Sequence, residues 1–99
     1  MKTKSITIIG KRWFERVNGN TYHSVIALVN GKQVVNVRFN YGYGDQYVQT
    51  AMKLLEVGKF LPNIEHYKNG ATESLWSYCE KNKIQYSQFV SDVQRKKDL

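Results

Sequence analysis

The chain has 99 residues, 41% of them hydrophobic and 13% aromatic, with 15 Lys and Arg against 8 Asp and Glu for a net charge of +7. That length fits a single domain, 1-99, with enough apolar residues to build a core without disulfide or metal support. The only cysteine, Cys79, excludes an internal disulfide and fits a reducing, cytoplasmic setting.

Met1-Lys2-Thr3-Lys4 leads straight into a strand pattern, so no secretory leader is expected. No apolar run approaches the length of a membrane span. Ser5 to Val17 forms a predicted first strand, rich in β-branched and aromatic residues. Gly10 inside it predicts a bulge or strong bend. Asn18-Gly19-Asn20 predicts a tight turn, and Thr21 to Val29 a second strand. Asn30-Gly31 is a strong hairpin signal, because both positions of a type I′ turn need positive φ. Lys32 to Asn40 is then the third strand. A two-residue loop pairs Val29 with Lys32, Ala27 with Val34, Val25 with Asn36 and His23 with Arg38. That register puts Tyr22, Ser24, Ile26 and Leu28 on the core face with Val35, Val37 and Phe39. His23, Asn36, Arg38 and Lys32 fall on the open face.

Tyr41-Gly42-Tyr43-Gly44-Asp45 marks the change from a period of two to a period of three and four. A first helix is predicted over Asp45 to Val57, with Val48, Ala51, Met52 and Leu55 inward and Gly58 placed to end it. Asn63 to Gly70 is a loop. Thr72 is placed to cap a second helix, Glu73 to Lys81, whose inward stripe is Leu75, Trp76 and Cys79, with Asn82 ending it in a left-handed conformation. Ile84 to Val93 is either an edge strand or an irregular docked segment, and Gln94 to Leu99 a frayed tail.

Two stretches carry candidate chemistry. The two glycines before the first helix could bring backbone amides near a phosphate, but Asp45 puts a carboxylate there, and the spacing matches no phosphate-binding fingerprint. A packed junction accounts for it, with a ligand contact through Tyr41 or Tyr43 as the alternative. Lys11-Arg12-Trp13-Phe14-Glu15-Arg16 alternates cations with rings, the pattern by which proteins hold phosphates and stack bases. If Asn18-Gly19 is a two-residue loop, Arg12, Phe14 and Arg16 join His23 and Arg38. A three-residue loop puts Lys11 and Trp13 there instead. The candidate binding residues are therefore Lys11, Arg12, Trp13, Phe14, Arg16, His23, Arg38, Tyr41 and Tyr43. His23, His66 and the lone cysteine form no metal-ligand spacing, and the scattered carboxylates form no acid–base pair. Neither a metal, a cofactor nor a catalytic residue is expected.

Taken together, Arg12-Trp13-Phe14, Gly19-Asn20-Thr21-Tyr22-His23, Tyr41-Gly42-Tyr43-Gly44 with Tyr47 and Gln49-Thr50-Ala51, and the ending Ser91-Asp92-Val93 through Arg95-Lys96-Lys97-Asp98-Leu99 resemble a family of small bacteriophage-encoded proteins with no assigned chemistry. The resemblance covers most of the chain. It implies a phage or prophage origin and the cytoplasm of a bacterial host.

The expected fold is α+β: a three-stranded antiparallel meander, two helices packed on one face, and a short C-terminal strand or tail. The expected function is non-catalytic binding of nucleic acid through the open face of the sheet, since a chain of this charge favours anionic partners. The alternative is an anti-defence or host-takeover protein that binds a host protein or a small nucleotide.

Overall fold

The computed structural model describes residues 3–99. Met1 and Lys2, the start of the stretch read as running directly into the first strand, lie outside the described residues. The elements are β1 (Ser5–Glu15), β2 (Asn20–Val29), β3 (Lys32–Tyr41), α1 (Gln46–Val57), α2 (Leu75–Lys81) and β4 (Gln85–Val93). A short 3₁₀ turn, Lys96–Asp98, follows.

The fold is α+β, as expected, but the sheet has four strands in the order β3-β2-β1-β4. The first three strands do form an antiparallel meander. The segment left open between strand and irregular tail is β4, which runs parallel to β1 from Ser5↔Gln85 to Trp13↔Val93. A parallel neighbour needs a crossover, and the helical stretch between β3 and β4 supplies it.

The core lies between one face of the sheet and the helices. Ile6 and Ile8 of β1 meet Val25, Ala27 and Val29 of β2, Val35 of β3, and the helical residues Tyr47, Val48, Ala51, Met52, Leu55, Leu75, Tyr78 and Cys79. Each fully buried Ile or Leu stabilises the fold by roughly 1.5–3 kcal/mol. The expected core face of β2 is corrected here. Val25, Ala27 and Val29 point inward, with His23, whereas Tyr22, Ser24, Ile26 and Leu28 belong to the open face. The cause is β3, which departs from the simple hairpin register twice. Val29 pairs with Lys32 as expected, but Ala27 pairs with Val35, Val25 with Val37 and His23 with Asn40. Each irregularity inserts one residue, and each one-residue slip turns the following side chains to the other face. Val35 and Val37 therefore stay in the core while Phe39 moves to the open side, against Tyr22.

Other local expectations change for identifiable reasons. Gly10 is no bulge: it pairs in register with Val25 and Val90. Its missing side chain instead makes room for the Tyr47 ring. The first turn is Arg16–Gly19, longer than either loop considered, because Glu15 pairs with Asn20 and its carboxylate accepts from the Val17 and Asn18 amides. Gly58 (φ −78°) is not the left-handed end of α1, a role that Lys59 (φ 65°) takes. Ser74, not Thr72, caps α2, accepting from the Ser77 amide at 3.1 Å. Tyr78 replaces Trp76 in the inward stripe, leaving Trp76 exposed. Lys83 (φ 58°), not Asn82 (φ −98°), is left-handed after α2. The Asn30-Gly31 turn is as read, with φ of 53° and 82°.

Candidate nucleic-acid interface

The open face of the sheet follows from strand parity. Once Ile6, Ile8, Val25 and Ala27 point at the helices, Ile9, Lys11 and Trp13 must point away, together with Tyr22, Ser24 and Ile26. At the end of the sheet nearest the first turn this parity assembles four rings. Trp13 and Tyr22 stack at 5.7 Å, Tyr22 and Phe39 stack at 4.8 Å, and Tyr41 meets Tyr22 edge-on at 5.6 Å. Phe39 and Tyr41 sit two residues apart on β3 and are 45% and 59% exposed. Beside the rings, Lys11 and Arg38 border a shallow hollow of about 190 Å³ floored by Ser24, Ile26 and Asn36.

The C-terminal residues cross this face and are not a frayed end. Leu99 reaches the hollow between Lys11 and Arg38, and the Lys96 ammonium stands 4.7 Å above the Phe39 ring. Arg95 and Asp98 close the intervening turn through an ion pair at 3.2 Å.

A second group gathers at the end of the sheet. Arg12, Trp13, Phe14, Arg16 and Tyr43 line a cleft of about 750 Å³ with Gly44 and Asp92. Trp13 is common to this cleft and to the ring cluster. Phe14 is the exposed ring of the Trp13-Phe14 pair, and Trp13 is half-buried. The guanidinium of Arg12 is already engaged, donating to Asp92 Oδ1 at 2.9 Å and to the Gly44 carbonyl at 3.3 Å. It ties β1 to β4 and to the junction before α1, so Arg16 is the freer cation of the two.

His23 is the one candidate removed from the surface. It was expected on the open face, but the β3 slips leave it 1% exposed beneath α1. Its Nδ1 lies 3.2 Å from the Gly42 carbonyl and its Nε2 lies 2.8 Å from Thr50 Oγ1. Both ring nitrogens therefore serve packing. Gly42 (φ 152°) is required there, since a Cβ would fall 2.6 Å from Gln46 Cβ and 3.1 Å from the His23 ring. The Tyr-Gly-Tyr-Gly stretch is thus a packed junction whose two tyrosines remain exposed.

The nine residues named from the sequence therefore divide into three places. Lys11, Trp13 and Arg38 lie on the open face with Tyr41; Arg12, Phe14, Arg16 and Tyr43 lie at the cleft; His23 is buried. Tyr22 and Phe39 were missed, having been placed in the core. No sequence signal settles their place: the even-numbered and the odd-numbered residues of β2 both carry apolar alternations, and the side that Phe39 takes depends on the register of β3.

The charge follows the same division. Residues 44–84, which contain both helices, hold five lysines and five carboxylates. The net +7 therefore falls entirely in the segments that form the strands and the tail. Among the described residues no three His, Cys, Asp or Glu side chains cluster as metal ligands, and no helix is long and apolar enough to cross a membrane. Comparison with family models, curated proteins and solved structures finds no match to this chain.

Proposed function

We propose that this protein is a non-catalytic nucleic-acid-binding module that works through the open face of its sheet. One observation carries the reading: a row of partly exposed rings lies in the half of the molecule that holds all of its net positive charge. Rings left exposed on a sheet face lose the stabilisation that burial would give them, so a contiguous row of them marks a contact surface. Cations beside the rings suit phosphates, and the ring faces suit bases.

The test is binding of a labelled 20-nucleotide probe as a function of salt. Binding is expected at about 50 mM salt, with a log–log slope of a few units, about one per phosphate neutralised. Arg38→Ala is expected to weaken it by roughly 1 kcal/mol without lowering the melting temperature, because Arg38 is exposed and outside the core. No binding at low salt would remove the reading.

A second reading is favoured by the cleft between Phe14 and Tyr43. In it the protein is a phage accessory factor acting inside a bacterial host, where it holds a small nucleotide or a host protein to blunt a defence system or redirect the host. A nucleotide bound there would depend on Arg16 and Phe14, would be less sensitive to salt, and would be indifferent to Arg38→Ala.

A further inference from the structure

We infer that the open face takes single-stranded nucleic acid and not duplex, with unpaired bases on Phe39 and Tyr41 and the backbone over Lys11 and Arg38. The inference rests on the reading above and narrows it to one class of ligand.

The first argument is spacing. Residues two apart on a strand are separated by about 6.6 Å, at about 3.3 Å per residue. Stacked nucleotides in a duplex rise by about 3.4 Å. Consecutive bases lying on Phe39 and Tyr41 must therefore be pulled apart from each other, which an unpaired strand permits and a duplex does not. The rings are held ready for this. Tyr22 packs against both, and Trp13 packs against Tyr22 in turn, so neither ring has to be ordered when the ligand arrives.

The second argument is shape. Four strands spaced about 4.8 Å apart, with helices behind them, make a slab too broad for a major groove about 12 Å wide. A duplex laid flat on this face would keep its bases paired and stacked on one another, so their faces would not be free to lie on the rings.

The third argument is the tail. The Lys96 ammonium already uses the Phe39 ring as a π-platform at 4.7 Å. A base settling on Phe39 displaces that ammonium sideways, to where the phosphate of the same nucleotide would run. The tail thus yields the ring and supplies a charge.

The experiment compares 12-nucleotide single-stranded DNA, single-stranded RNA of the same sequence, and the blunt DNA duplex, at one salt concentration. Either single strand is expected to bind about tenfold tighter than the duplex, in line with stacked bases on aromatic platforms. Phe39→Ala and Tyr41→Ala are each expected to erase most of that preference. Phe39→Leu keeps an apolar side chain against Tyr22 but removes the flat ring, and is expected to do the same, which separates stacking from a folding defect. Duplex binding equal to or tighter than both single strands would overturn the single-strand inference while nucleic-acid binding itself stood. Failure of all three probes would overturn both.

Discussion

At the scale of single residues, a methyl group at position 10 is the sharpest test of the packing. A Cβ built on Gly10 would stand 2.4 Å from Tyr47 Cδ2 and 2.7 Å from its Cγ. The ring cannot step aside, because it is 1% exposed and its hydroxyl lies 3.4 Å from Gln88 Nε2. Gly10→Ala is therefore expected to destabilise the protein by roughly 1–3 kcal/mol, as overpacked cores do. A smaller residue at 47 in the same background should recover part of the loss. Urea denaturation of the two variants measures this, and an unaltered midpoint for Gly10→Ala would contradict the packing. The Asn30-Gly31 turn predicts a loss of similar size for Ala-Ala, roughly 1–3 kcal/mol, since both residues have positive φ. The two glycine sites also differ in how far the sequence exposes them. Asn-Gly is a local signal, and the positive φ at both residues follows from it. A glycine within a strand has two meanings, a bulge or a close approach, and only the position of Tyr47 in three dimensions decides between them.

Among the elements, α2 and the loop before it are held by a buried carboxylate. Glu73 accepts from Lys81 and from the Glu65 amide, and Lys81 also approaches Glu65 at 3.6 Å. Desolvation alone would raise the Glu73 pKa, but the Lys81 and amide hydrogen bonds outweigh it and hold the carboxyl below its ordinary value. A depressed carboxyl stabilises the fold above its unfolded pKa, about 4.3, and loses that contribution as pH falls through the lower folded value. Glu73→Gln is thus expected to flatten the acid limb of a stability–pH profile measured by urea denaturation. An unchanged limb would show that the pair adds nothing. Lys81 has the opposite sign. Its hydrogen bond to Glu73 raises its pKa, so its contribution is present below about 10.4 and fades as pH rises through the higher folded value. The first three strands and both helices are legible in the periodicity, but the loose alternation of Ile84 to Val93 leaves β4 open between strand and irregular segment, and the facing of β2 is not legible either. Tyr22-Ser24-Ile26-Leu28 and His23-Val25-Ala27-Val29 are both plausible core stripes. The choice between them lies in two slips of β3 that no turn residue announces.

For the molecule as a whole, the division of charge makes one layer neutral and leaves the other basic. Lys11, Trp13 and Arg38 were legible as binding candidates because cations and rings alternate in their strands. Their gathering with Tyr22, Phe39 and Lys96 was not, since it needs the register of β3 and the fold-back of the tail. Global opening has its own reporter. Cys79 is fully buried, and burial pushes its thiol up to about 11, so it presents almost no thiolate at neutral pH. A thiol reagent is expected to label the native protein only through unfolding, at a rate that rises with urea in step with loss of the fold. Rapid labelling without denaturant would mean that α2 opens on its own.

The parallel pairing of β1 with β4 also fixes an order of assembly. Arg12 and Asp92, which join those strands, stand 80 residues apart. A ribosome therefore delivers the centre of the sheet first and its last edge only after the helices. Until Gln85–Val93 emerges, β1 is a bare border strand with unpaired backbone groups along one side. Such a border is a template for any neighbouring chain, and a second nascent copy supplies the same sequence in the same state. Translation that stalls between α2 and β4 would thus turn the missing strand into an adhesive edge.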